Sequence, residues 1–378
     1  MRNVDVVIVG GGPTGLFLGA LLVQSGFSCR VLEQRPESTT HSRSIGIHPP
    51  SLERLASIGV AEHILKAGVI VRQGLAFLDG RRVGALTFDA CPPPFPFVVS
   101  LPQFQTEAIL EARLTELDAH ALCRGTRVTH IEKKESEVCV HAKKGDQEVE
   151  FSAKFVVGCD GRNSTVRELS GLSFPGKDYD DTYMMGDFLD STDFGPDAAI
   201  FLGKAGVVEC FPLPAGLRRW VAKTDGLISN PQPDQLVSII GQRTGLEVDS
   251  QTNSMISSFK VSKFQASRMC MGRILLAGDA AHVISPIGGQ GMNLGWLDAY
   301  ALFEVFSNNG RNAKPSAFKP YSASRMRAYR RARRHSELNM WLGRGYSFGM
   351  LKKGLIHLML SPRVQPFFAK QFTMRGLE

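Results

Sequence analysis

Residues 4–15 read Val-Asp-Val-Val-Ile-Val-Gly-Gly-Gly-Pro-Thr-Gly. The first six are a short β-branched run, the pattern of a strand buried on both faces of a parallel sheet. Gly10, Gly12 and Gly15 then complete G-x-G-x-x-G. Residues 14–25 predict a helix with Leu16, Phe17, Leu21 and Leu22 apolar, closed by Gly26. A second strand over 28–32 ends in Glu33, eighteen residues beyond Gly15. Each glycine has a separate task. Gly10 permits the tight turn, Gly12 lets backbone approach a pyrophosphate, and Gly15 lets helix and strand pack closely. The helix start at Pro13 and Thr14 offers free N–H groups and a positive dipole end. Glu33 is placed to accept hydrogen bonds from a ribose 2′-hydroxyl, with Gln34 beside it. The unit predicts a dinucleotide site and leaves open which dinucleotide.

Two further turns follow strand-like runs. Residues 155–161 (FVVGCDG) run into Asp160-Gly161, and residues 162–167 (RNSTVR) open a helix with Asn163 or Ser164 as N-cap. Residues 273–277 (RILLA) form another short apolar run, ending in Gly278-Asp279-Ala280-Ala281-His282. Pro286 comes next, then Gly288-Gly289-Gln290-Gly291-Met292-Asn293, and a helix from about 294 to 306.

This ordered set resembles the class A flavoprotein aromatic hydroxylases: the p-hydroxybenzoate hydroxylase group with its polyketide and ubiquinone relatives. The resemblance runs from residue 4 to about 306. It implies an α/β fold: a GR2-type, Rossmann-like FAD-binding domain with an inserted antiparallel β-sheet substrate domain and C-terminal helices. The expected division is 1–72, 100–175 and 268–323 for FAD, 73–99 and 176–267 for substrate, and 324–378 as a basic helical segment. FAD is expected as a non-covalent cofactor. Asp279, after Gly278, should bond its ribityl chain. Backbone around Gly289, Gly291, Met292 and Asn293 should face the pyrimidine edge, where helix-end N–H groups stabilise negative charge. Pro286 would lie above the ring and Arg43 would contact FAD beside the active site, these two being the catalytic candidates. Gln103 would lie near the ribityl chain. Asp160 and Arg167 would belong to the segment that serves both FAD and NAD(P)H. The nicotinamide cofactor is expected as a transient co-substrate, since no second Rossmann unit appears. The implied activity inserts one oxygen atom from molecular oxygen into an aromatic or polyketide-like substrate through a flavin hydroperoxide, so the cofactor carries the hard step. Cys159 departs from the family's usual alanine and reads as a packing substitute.

Composition narrows the class. The 378 residues include 44 Lys and Arg against 36 Asp and Glu. Twelve of those basic residues and only two of the acids lie from Arg325 to Glu378, leaving the rest near neutral. A nucleic-acid protein more often carries its basic face on the main domain. The seven cysteines are scattered without CxxC spacing, as expected of reduced thiols in a cytoplasmic protein. No metal cluster and no Ser-His-Asp arrangement is read. His282 is read as a structural histidine, and no uninterrupted apolar run reaches spanning length.

A second sheet is predicted from a hairpin over 75–78 and 83–88, and from strands over 184–189, 200–202, 206–211 and 218–223. Phe97, Phe201, Phe211 and Trp220 are candidate substrate-wall residues, with core packing the competing reading. The cationic helix at 324–335 and the mixed apolar and basic stretch beyond it admit two readings: a cap packed on the body, or a segment drawn to anionic lipid. The chain is too short to include the thioredoxin-like third domain of larger relatives. Competing functions are a reductase or oxidase on the same fold, such as a prenyl-chain reductase, and a non-catalytic prenyl-binding carrier. Tryptophan halogenases are disfavoured, because their WxWxIP signature is absent.

Overall fold

The computed structural model describes residues 2–39, 44–345 and 349–377. Arg2–Val9 forms the middle of the first sheet, between Gln147–Gly158 on one side and Cys29–Glu33 on the other. All three run parallel, as do Ile274–Leu276 beyond Gln147–Gly158 and Leu122–Arg124 beyond Cys29–Glu33. Parallel strands need covered faces. Val6, Val7 and Ile8 are fully buried, with the helix Pro13–Gln24 contributing Leu16, Phe17 and Leu22 to the same core.

The registers decide where the three turns fall. Val9 pairs with Gly158 and with Leu32, and Gly158 pairs with Leu276. The ladder continues one step past each strand: Gly10 N–H donates to Leu32 O, Cys159 N–H to Val9 O, and Ala277 N–H to Gly158 O. Three turns separated by more than a hundred residues of chain therefore leave one sheet edge side by side. Carboxyl ends of parallel strands are where open α/β sheets bind ligands.

A second, eight-stranded sheet holds the predicted hairpin as Gln73–Leu78 and Arg81–Thr87. Its centre is Gly176–Leu189, Leu217–Thr224, Val208–Leu213 and Ala198–Leu202. The strand Met255–Gln265 and the helix Pro233–Thr244 had no counterpart in the sequence reading. Serines and lysines break the apolar alternation of the strand, whose register is set by pairing with Gly176–Leu189. His282–Val283 forms the far edge of this sheet, so the segment after Asp279 belongs to both halves of the molecule.

The last helices pack on the body. Lys319–Gly343 buries Arg325, Tyr329, Ala332 and Met340, which favours the capping reading of this cationic helix. Gly349–Met359 and Gln365–Phe372 cover the hairpin through Ile356, Met359 and Ala369. No helix among the described residues is long and apolar enough to cross a membrane.

Candidate flavin site

The glycine turn meets its neighbours as closely as the sequence requires. A Cβ on Gly15 would lie 2.0 Å from Gly10 O, and one on Gly10, at φ +107°, would lie 2.4 Å from Cys159 O. Gly12 is different: a Cβ there would meet nothing within 4 Å. The first two glycines let protein approach protein, and Gly12 leaves room for something else. Thr14 sits where three elements touch, since a Cβ on Gly278 or on Gly295 would lie 2.8 or 2.3 Å from its hydroxyl. Trp296 Nε1 donates to Pro13 O at 3.0 Å and ties the two site helices together.

Glu33 is buried and partly spent. Gly11 N–H donates to its Oε2 at 2.7 Å, and Arg35 donates through backbone and side chain to Oε1. Burial opposes ionisation, but these donors outweigh it and hold the carboxyl below its usual range. A carboxylate has about four acceptor positions, so capacity for a ribose remains. Gln34 beside it is exposed. Gln103 donates to Glu107 Oε1 at 2.7 Å and its backbone to Ser44 O. Arg43 lies outside the described residues.

Asp160 and Arg167 are both engaged within the protein. Asp160 accepts from Ser164 Oγ and from Val166 N–H, while Ser164 caps the helix Thr165–Leu169 by accepting from Arg167 N–H. Arg167 is buried, donates to Ala280 O and Arg162 O at 2.9 Å each, and covers the Phe174 ring. Arg167 thereby fastens the second turn to the third.

Asp279 stands apart. Its side chain is exposed and takes part in no hydrogen bond or ion pair among the described residues. The dense protein around it raises its pKa, with His282 opposing. The backbone beneath is anchored by Asp298, which accepts from Gly278 N–H at 3.0 Å, contacts His282 Nε2 at 2.6 Å and accepts from Arg325 Nε at 2.8 Å. His282 is thus structural. Burial disfavours its charge, but Asp298 more than compensates and raises its pKa; Asp298 in turn is held low. The sequence reading missed Asp298, whose one signal is an acid inside an apolar helix stretch between Leu297 and Ala299.

The helix Gln290–Asn309 begins four residues earlier than expected, with Gly289 as N-cap at φ +65° and no side chain capping it. Gly288, at φ +89°, shares the left-handed turn, and Gly289 N–H donates to the carbonyl of the exposed Pro286. Asn293 is fully buried. It donates to Gly46 O and Gly289 O and accepts from His48 N–H, so its side chain locks the loop. Met292 points into the first core. The backbone of Gln290, Gly291 and Met292 is what this loop offers a ligand. His48, also missed, contacts Gly288 O at 3.2 Å, and burial lowers its pKa to about 4, keeping it neutral.

Of the four wall candidates, Phe211 alone lies on the sheet face toward this loop, in a cluster with Ile287 and Met340. Phe201 and Trp220 project from the opposite face, against Leu236 and Ile240 of the helix Pro233–Thr244. Phe97 is buried in the first core beside Phe95. Strand alternation sends neighbours to opposite faces, and only the assembled sheet shows which face meets the loop.

The residues fit FAD. Open space at Gly12, two helix starts without a side-chain cap and one unpartnered carboxylate gather at one sheet edge. The chain belongs to the FAD-dependent aromatic hydroxylase family: residues 3–336 match the family model described as FAD binding domain. It is 33% identical over 306 residues to a rifampicin monooxygenase of Streptomyces venezuelae, covering 79% of this chain and 63% of that one. The solved anhydrotetracycline hydroxylase OxyS of Streptomyces rimosus superposes at a TM-score of 0.80 with 28% identity, over 98% of this chain and 76% of that one. The p-nitrophenol 4-monooxygenase PnpA of Pseudomonas putida DLL-E4 shares the fold at a TM-score of 0.90 and 21% identity, covering 100% and 99%. The chain spans 63% and 61% of the lengths of the first two curated relatives it matches.

Proposed function

We propose that this chain is an FAD-dependent monooxygenase that hydroxylates an aromatic or polyketide-like substrate at the expense of NAD(P)H and molecular oxygen. The observation that carries the reading is Asp279, an exposed carboxylate with no hydrogen bond or ion pair among the described residues, at the edge shared by the three turns. The overall balance is arene, O2, NAD(P)H and a proton going to hydroxylated arene, water and NAD(P)+. When bound, FAD supplies the two-electron and oxygen chemistry.

The chain's own residues do the rest. Gly12 and the start of Pro13–Gln24 bind the pyrophosphate, Glu33 the ribose, and Asp279 the ribityl chain. The free N–H groups of residues 290–292 stabilise negative charge at the pyrimidine edge. The Asp298, His282 and Arg325 cluster holds the Asp279 turn at fixed depth. Pro286 would lie beside the bound cofactor, and the cluster of Met185, Val221 and Ile287 would help to exclude water from it.

The test is reconstitution with FAD and a screen of phenols, naphthoquinones and tetracyclic aromatics. Substrate-stimulated NAD(P)H oxidation with a product heavier by one oxygen atom is expected. Stimulated oxidation yielding a product with a reduced double bond would identify a reductase. Failure to take up FAD would favour a carrier.

A further inference from the structure

In an antiparallel ladder, directly paired residues project from the same face. Ile200 pairs with Glu209, Glu209 with Val221, and Val221 with Met185. Ile200, Val221 and Met185 all belong to the apolar cluster that contains Ile287, beside Pro286, and Met340 of the last long helix. A carboxylate therefore stands in the middle of the face turned toward the proposed flavin loop. Glu209 is half-buried and receives no hydrogen bond among the described residues. Tyr183 lies on the same face, two residues from Met185. It is fully buried, and its hydroxyl has no hydrogen-bond partner among the described residues. Buried polar groups are normally paired. Two such groups without a hydrogen bond among the described residues, on a face where Arg219 and Asp187 satisfy each other, point to a polar ligand group that completes them.

We infer that Glu209 is the catalytic base of this enzyme, accepting the hydroxyl proton of a phenolic substrate held against this face; this rests on the aromatic-hydroxylase reading above. The phenol O–H bond breaks and a carboxyl O–H bond forms. The electron pair stays on the phenol oxygen, enriching the ring carbons ortho and para to it. No electron is transferred, and the proton leaves to solvent when product departs. Tyr183 is a positioning residue that offers the second polar contact.

The surroundings suit the task. Burial pushes Glu209 up to about 7, where a carboxyl is matched to proton transfer at neutral pH. Neighbouring charges are largely paired: Arg219 with Asp187 at 2.6 Å, and Arg344 with Asp181 at 2.5 Å. Lys223 stands opposite Tyr183 and donates to Thr224 O. His335 of the long helix is held toward its neutral form by burial, and the Tyr183 hydroxyl is kept protonated by burial and by the charge of Glu209.

The experiment uses the FAD-loaded full chain and 4-nitrophenol, whose neutral and ionised forms absorb at different wavelengths. Near pH 7, where Glu209 is partly ionised, wild type is expected to bind the probe with a phenolate fraction well above that of the free probe. Glu209→Gln should cut the bound phenolate fraction about tenfold or more, equivalent to at least one pKa unit. Glu209→Asp should restore much of it, and Tyr183→Phe should weaken binding while leaving ionisation in place. A probe that does not bind wild type, binds it as the neutral phenol, or is equally ionised by Glu209→Gln overturns the assignment. FAD fluorescence separates the failures: normal uptake with a neutral bound phenol removes Glu209 alone, whereas no uptake removes the flavoenzyme reading itself.

Discussion

Gly12→Ala separates folding from cofactor binding at one atom. Gly12 has φ −81° and ψ −175°, extended backbone that alanine adopts freely, and its Cβ would meet no protein atom within 4 Å. Without cofactor the variant should stay within about 1 kcal/mol of wild type, because lost unfolded-state entropy favours it by about 0.4–1 kcal/mol while alanine at the N-cap of Pro13–Gln24 opposes it by a similar amount. With cofactor the methyl occupies the approach to the pyrophosphate. Losing one hydrogen bond to a charged group costs about 1.5–3 kcal/mol, a roughly 10- to 150-fold weaker Kd for FAD. Gly15→Ala is the contrast, because its Cβ would sit 2.0 Å from a backbone oxygen and the helix must shift. Overpacking of that kind costs about 1–3 kcal/mol or more. Urea unfolding of the flavin-free protein and quenching of FAD fluorescence on titration measure the two quantities. Unchanged FAD affinity in Gly12→Ala would refute the placement of the pyrophosphate, and a urea midpoint lowered as far as in Gly15→Ala would refute the open space at Gly12.

Asp279→Ala should leave the flavin-free protein as stable as wild type, since the side chain has no partner to lose, and should weaken FAD retention on gel filtration. Asp298→Asn breaks a fully buried cluster and should destabilise by about 3–5 kcal/mol, read from urea midpoints. The same cluster sets a pH dependence. His282 binds its proton more tightly folded than unfolded. Its contribution is complete below about pH 6.5 and fades as pH rises through the raised folded value. Asp298 contributes above its unfolded value of about 4, and that is lost as pH falls through its lowered folded value. Melting temperatures should decline on the alkaline side in wild type and follow a flatter course in His282→Gln.

The local chemistry of the flavin turns was legible without a structure. Strand, glycine turn, helix and terminal acid follow one another within thirty residues, and their spacing is dictated by backbone sterics that act over a few residues. The Asp160 and Asp279 turns were readable for the same reason. What these side chains do was less so. Asp160 and Arg167 carry the motif and also bond Ser164, Val166 N–H and Ala280 O, the last of these a partner supplied by a distant segment. Asn293 sits at a motif position while its amide ties down Gly46 and Gly289.

The remainder was decided in three dimensions. Apolar residues on neighbouring strand positions are alike to a sequence reader, so Phe201 and Trp220 read equally as wall or as core until the sheet turned them toward the helix behind it. Glu209 carried no motif at all. Its meaning comes from the ladder that sets it among Ile200, Val221 and Met185, opposite a loop nearly eighty residues further along the chain. Short-range order is written in spacing, because neighbours along a chain have few conformations to choose from. Which face is wet, which charge is paired and which atom meets the ligand depend on surfaces from distant segments, and those surfaces exist only once the chain has closed on itself.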